Sequence, residues 1–138
     1  MAMDASQAVA FLGENHRAVM STIRRDGRPQ LSPVTCVVDD EGRVCISSRE
    51  TAYKVKNLRR DPRIALCGMN DRFFGEWVQV EGTAEIISLP EAMDLLIDYY
   101  RRAAGEHPDW NDYRAAMERE RRVIIRFAIE RAGPSVSG

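Results

Sequence analysis

Residues 48–66 read SRETAYKVKNLRRDPRIAL. The stretch carries the end of one strand, a short helix and the start of another strand. Asp61-Pro62 sets the helix end, because the residue before a proline avoids the α region. Within residues 51–60, Val55 and Leu58 fall on one helical face at about 100° per residue, so that face packs on a sheet. RIALCGM, after the proline, has strand character. The stretch also holds six cations, Arg49, Lys54, Lys56, Arg59, Arg60 and Arg63, against only Glu50 and Asp61, in a chain of net charge −1. This local charge has two readings: it holds an anion, or it is a solvated helix face.

Outward from this stretch, turn residues mark the other elements. Residues 4–14 predict a short helix with Val9, Leu12 and Ala5 on one face. Asp26-Gly27, between two β-rich runs, predicts a hairpin. Asp39 to Gly42 is the next turn, and RVCISS a third strand. Pro29 and Pro33 lie inside the second strand; proline cannot donate to a ladder, so that strand is an edge or is bulged there. EWVQVEGTAEII alternates over residues 76–87 as one half-buried strand. Ser88 to Glu91 reads as a capping box before a long helix that Gly105 ends. Asp109 caps a second helix through Arg119, and RVIIRFAIE is the last strand. Six strands with helices between them imply an α+β, mainly β fold: a small antiparallel barrel-like sheet with peripheral helices. The 138 residues predict a single domain, 1–138, with a loose tail from about 131 to 138.

Composition narrows the function. A pI of about 6.1 speaks against a general nucleic-acid binder. The first residues lack the basic start and apolar core of a signal peptide. The apolar runs are too short to span a bilayer, so no membrane association and a cytoplasmic location are expected. Cys36, Cys45 and Cys67 lie in apolar contexts without a CxxC pair and read as buried reduced thiols. His16 and His107 make no ligand pattern, and no metal site is expected. Without a GxSxG elbow, a metal set or a carboxylate pair, no catalytic residue is assigned.

Helical spacing sorts the cations. Lys54 borders the apolar face one turn after Thr51, and both point past the helix start, where free N–H groups and the positive dipole end lie. Arg49 joins them from the preceding connection. A hydroxyl, two cations and a helix N-terminus suit a phosphate. Lys56 and Arg60, spaced i,i+4, point outward to solvent.

The order of these segments, the stretch KVKNLRRDPR, then WVQVEGTAE, and GEHPDWNDYRAAM followed by RRV resemble the flavin/deazaflavin oxidoreductases of the pyridoxamine 5'-phosphate oxidase-like split-barrel superfamily. Within it, the branch that uses coenzyme F420, containing deazaflavin-dependent biliverdin reductases, is the most similar. The likeness covers about residues 5–130. It implies a six-stranded split β-barrel and a homodimer with the cofactor in a groove at the subunit interface. It places the cofactor phosphate at Arg49, Thr51, Lys54 and Lys56, and the ring beside Ser32, Pro33, Val34 and Thr35. Trp77 and Gln79 are placed along the groove from a partner subunit; from the residues alone, Trp77 reads first as a core or dimer-contact aromatic. Ala52 departs from the pattern, because related sequences often carry a basic residue there. The implied activity is hydride transfer from reduced F420 to a conjugated small-molecule acceptor, a bilin, quinone or enone. An FMN-dependent oxidoreductase and a non-enzymatic F420 carrier are the alternatives.

Overall fold

The computed structural model describes residues 4–134. Helix α1 (Ala5–Glu14) starts at Asp4, whose side chain accepts from the Gln7 amide while Gln7 caps back. It buries Ala8 and Leu12, with Val9 half-buried against the core; Leu12 and Val9 lie on the predicted face, while Ala5 is exposed. Strands β1 (Arg17–Ile23) and β2 (Pro29–Val38) form the Asp26-Gly27 hairpin, with β1 register-paired from Arg17–Thr35 to Ile23–Pro29. Gly27 takes φ 87° in the turn, a value glycine adopts without steric cost. Then follow β3 (Val44–Arg49), α2 (Tyr53–Arg60), β4 (Arg63–Met69), β5 (Trp77–Thr83), β6 (Glu85–Ile87), α3 (Ala92–Ala104), α4 (Trp110–Arg119), β7 (Arg122–Phe127) and β8 (Arg131–Gly133).

All pairings are antiparallel, and the strand order is β6-β7-β3-β2-β1-β4-β5-β8. The sheet has eight strands, not the six expected. The predicted strand over 76–87 divides at Ala84, whose amide bonds the Pro62 carbonyl (2.8 Å). Its first part pairs with β4 and its second with β7, so one chain segment serves both halves of the curled sheet. Gly82 permits this crossing: a Cβ there would collide with the Ala128 carbonyl and the Phe127 ring. The expected loose tail contains the remaining extra strand, since 131–133 pair with Glu81, Val80 and Gln79; residues 135–138 lie outside the described residues.

Two cores flank the sheet. Inside the curl, Leu12, Met20, Ile46, Val55, Leu66, Val78, Ile125 and Phe127 pack together. On the other side of β3 and β7, Val37, Cys45 and Ile124 meet Leu96, Ile97, Tyr113 and Met117 of α3 and α4. Asp109 caps α4 through the Asp112 amide (3.1 Å) and Gly105 ends α3, as their residue types predict. The predicted Ser88 capping box does not form. Helix α3 begins at Ala92 without a side-chain cap, and the Ser88 hydroxyl faces Arg59 (3.4 Å).

Candidate functional site

The sheet splits at β2. That strand pairs with β1 over Pro29–Thr35 but with β3 only over Cys36–Val38. The Cys36 amide bonds the His16 carbonyl (2.8 Å), so main-chain groups of even-numbered β2 residues face β1. Groups of odd-numbered residues face the unpaired edge. Pro29 and Pro33 are odd-numbered. Their missing N–H groups therefore cost the ladder nothing, which is why two prolines are tolerated in this strand. The edge offers the Leu31 and Thr35 amides and the carbonyls of Leu31 and Pro33 to a groove. Side chains alternate: Ser32 and Val34 are half-buried, while Pro33 and Thr35 are exposed.

The far wall is the end of β3 and the start of α2. There β3 pairs with β7 so that Arg49 lies opposite Arg122. The Glu50 amide bonds the Arg121 carbonyl (2.9 Å), tying the turn before α2 to the start of β7. Glu120 accepts from Arg122 (2.8 Å) and meets Arg49 at 3.5 Å, and Glu50 meets Arg59 at 3.0 Å. Arg49 and Arg59 are thus partly neutralised. Lys54 differs. It is half-buried, and among the described residues no carboxylate pairs with it. Desolvation, then the positive charge of Arg122, holds its pKa below the ordinary lysine value. Lys54 thus lies within the positive field of Arg122, whose own guanidinium is paired with Glu120. Thr51 sits in the turn rather than on the helix. Helix α2 begins at Tyr53 with Ala52 as its cap residue and no side-chain cap, so its first amides have no side-chain acceptor from this chain.

Further along, a cleft of about 740 Å³ opens between the β1–β2 turn and α2, lined by Arg24, Arg25, Gln30, Tyr53, Lys56 and Arg60 among others. Lys56 therefore faces a different part of the wall from Lys54. Arg60, predicted to point only at water, donates to the Ile23 carbonyl (2.6 Å) and to Asn57 Oδ1 (3.2 Å). Asn57 itself is buried beside Val55 and Leu58. Its Nδ2 donates to Thr22 Oγ1 (3.1 Å) and Gln30 Oε1 (2.9 Å), fastening α2 to both hairpin strands. Sequence reasoning missed Asn57 and Arg122. The available signals were a polar residue between two core-facing helical positions and an RRV run at a strand start.

Trp77 and Gln79 are on β5, three strands from β2 in the sheet, so within one chain they do not meet this groove. They share the outer sheet face with Val19, Leu31, Pro33 and Cys67, which the registers align. Leu31 is 65% exposed there. Cys36 and Cys45 are buried, and burial pushes both thiols up to about 12. Among the described residues, no group of three His, Cys, Asp or Glu side chains is placed to hold a metal ion, and no helix is long and apolar enough to cross a membrane.

Comparison with known proteins adds to this geometry. Residues 5–134 match the pyridoxamine 5'-phosphate oxidase family. The chain is 28% identical over 126 residues to an F420H(2)-dependent biliverdin reductase of Mycobacterium tuberculosis, covering 90% of this chain and 82% of that protein. Among solved structures, a conserved hypothetical protein of M. tuberculosis superposes with a TM-score of 0.76 at 26% identity, covering 99% of this chain and 93% of the other. An F420 reductase superposes at 0.69 with 20% identity, covering 90% and 94%, a likeness of fold.

Proposed function

The chain belongs to the pyridoxamine 5'-phosphate oxidase family, and from that premise we propose that it is an F420-dependent reductase acting on a conjugated small molecule. The observation that carries the reading is Lys54, half-buried and, among the described residues, paired with no carboxylate, at the head of a groove whose other wall is the open edge of β2. The similarity to an F420H(2)-dependent biliverdin reductase supports the deazaflavin over FMN, and a bilin-like acceptor over other conjugated systems.

The residues present fit such a group. Lys54, Arg122 and Arg49 would hold a phosphate, with Thr51 and the uncapped first amides of α2 beside them. The Leu31 and Thr35 amides and the neighbouring carbonyls would orient a planar ring along β2. When bound, the deazaflavin supplies a hydride. The chain's own contribution is to bind, orient and exclude water.

The proposal includes a homodimer. The outer face around Leu31, Pro33, Val19, Cys67 and Trp77 is apolar and partly exposed, and a second copy would cover it while bringing Trp77 and Gln79 toward the partner's groove. An exposed apolar sheet face of this kind marks an interaction surface. Titration of the purified protein with F420 and with FMN, followed by cofactor fluorescence, tests the reading. Tighter binding of F420, and oxidation of reduced F420 by a bilin, are expected. Stoichiometric FMN in the purified protein would overturn the cofactor choice, and tight F420 binding without turnover across a broad acceptor panel would leave a carrier.

A further inference from the structure

The groove exists because β2 and β3 part after the Cys36–Ile46 pair. Continuing that register places Thr35 opposite Ser47. The main-chain groups of Thr35 point away from β1, so in an unbroken ladder the Ser47 amide would donate to the Thr35 carbonyl. That bond is replaced. The Tyr99 hydroxyl, delivered by α3, donates to the Thr35 carbonyl at 2.8 Å, taking the acceptor that the Ser47 amide would otherwise use. A direct ladder bond spans about 2.9 Å between heavy atoms, and one inserted oxygen widens that to roughly 4.5–5 Å. Beyond this point β3 stays with β7 as far as Arg49 and Arg122, while β2 stays with β1.

We propose that Tyr99 is the wedge that splits the sheet: its hydroxyl, bonded to the Thr35 carbonyl in place of the Ser47 amide, holds β2 and β3 apart and sets the width of the groove that receives a planar ring. It is a positioning residue, acting through the two strands rather than on a ligand. The phenol, its pKa raised further by burial, keeps its donating proton throughout the neutral range. The strand edges alone would favour closing. Each carries an unmet donor or acceptor, and direct pairing would satisfy both. A hydroxyl that donates to the Thr35 carbonyl satisfies that edge while keeping the two separate, and it retains the capacity to accept.

The test is Tyr99→Phe, which removes one oxygen and keeps the ring. Residue-resolved amide exchange should show the Ser47 amide better protected, by about tenfold or more, as it pairs directly with Thr35. Affinity for F420 and for FMN should fall by about tenfold or more, while the affinity for inorganic phosphate stays within about twofold and the melting temperature does not fall. Faster exchange at Ser47, with ring and phosphate affinities and melting temperature all falling together, would show that Tyr99 only fills space and would overturn the wedge. Raised protection with unchanged ring affinity would overturn its control of groove width. The ligand arm rests on the proposed function. If the wild type binds neither F420 nor FMN, that reading fails, and the exchange at Ser47 decides the wedge by itself.

Discussion

Replacing Lys54 with alanine separates an anion site from a solvated helix face. In the free protein the lysine is a liability. Its folded pKa lies below its unfolded value because of desolvation and the Arg122 charge. At pH 7 it is charged in both states, so the penalty is fully present there and fades only as pH rises through the depressed folded pKa toward the unfolded value. Lys54→Ala removes that penalty, and the melting temperature without ligand should hold or rise. On the proposed function, the same ammonium would make a charge-assisted hydrogen bond to a phosphate oxygen of the bound cofactor. Losing such a bond costs about 1.5–3 kcal/mol, or roughly 10- to 140-fold in Kd. Fluorescence titration with F420 in low salt measures this, with Arg114→Ala on the exposed face of α4 as the control. An exposed charge there should cost no more than about 1 kcal/mol. Unchanged affinity in Lys54→Ala, or equal losses in both variants, would refute the assignment of the phosphate to this end of the groove.

Asn57→Ala leaves Thr22 Oγ1 and Gln30 Oε1 without their shared donor and should destabilise the fold by about 1–3 kcal/mol, read as a lower urea midpoint; a change under about 0.5 kcal/mol would mean that the buried network is dispensable. The buried thiols give a pH signature. Cys36 and Cys45 are held at about 12 by burial, well above an ordinary thiol, so the folded state keeps protons that the unfolded state releases, and stability should decline as pH rises from about 9 toward 12. The Cys36→Val/Cys45→Val double variant should flatten part of that decline, and an unchanged slope would place its origin elsewhere. Leu31→Lys sets a charge on the exposed apolar face and should shift the proposed dimer toward monomer in sedimentation equilibrium; a wild type that is already monomeric at micromolar concentration would end the dimer proposal.

Local chemistry alone determined much of this protein. Asp26-Gly27 made the first hairpin, Asp61-Pro62 ended α2, Asp109 and Gly105 bounded the two long helices, and the spacing of Val55 and Leu58 turned α2 onto the sheet. Each effect acts within a few residues along the chain. Tertiary structure decided what depends on distant partners. Whether 76–87 is one strand or two turned on Ala84 meeting the Pro62 carbonyl, and whether 131–133 is tail or strand turned on the free edge of β5. Pro33 could be read as an edge residue from its chemistry, but not which edge, because that depends on where β3 leaves β2. Lys54 was legible as a candidate by its place on a helix. Arg122 was not, because it is 68 positions away along the chain and reaches Lys54 only through the pairing of β7 with β3. Spacing places side chains on a face; only the register of strands far apart in sequence brings Arg122 into the field of Lys54, or the Tyr99 hydroxyl to the Thr35 carbonyl.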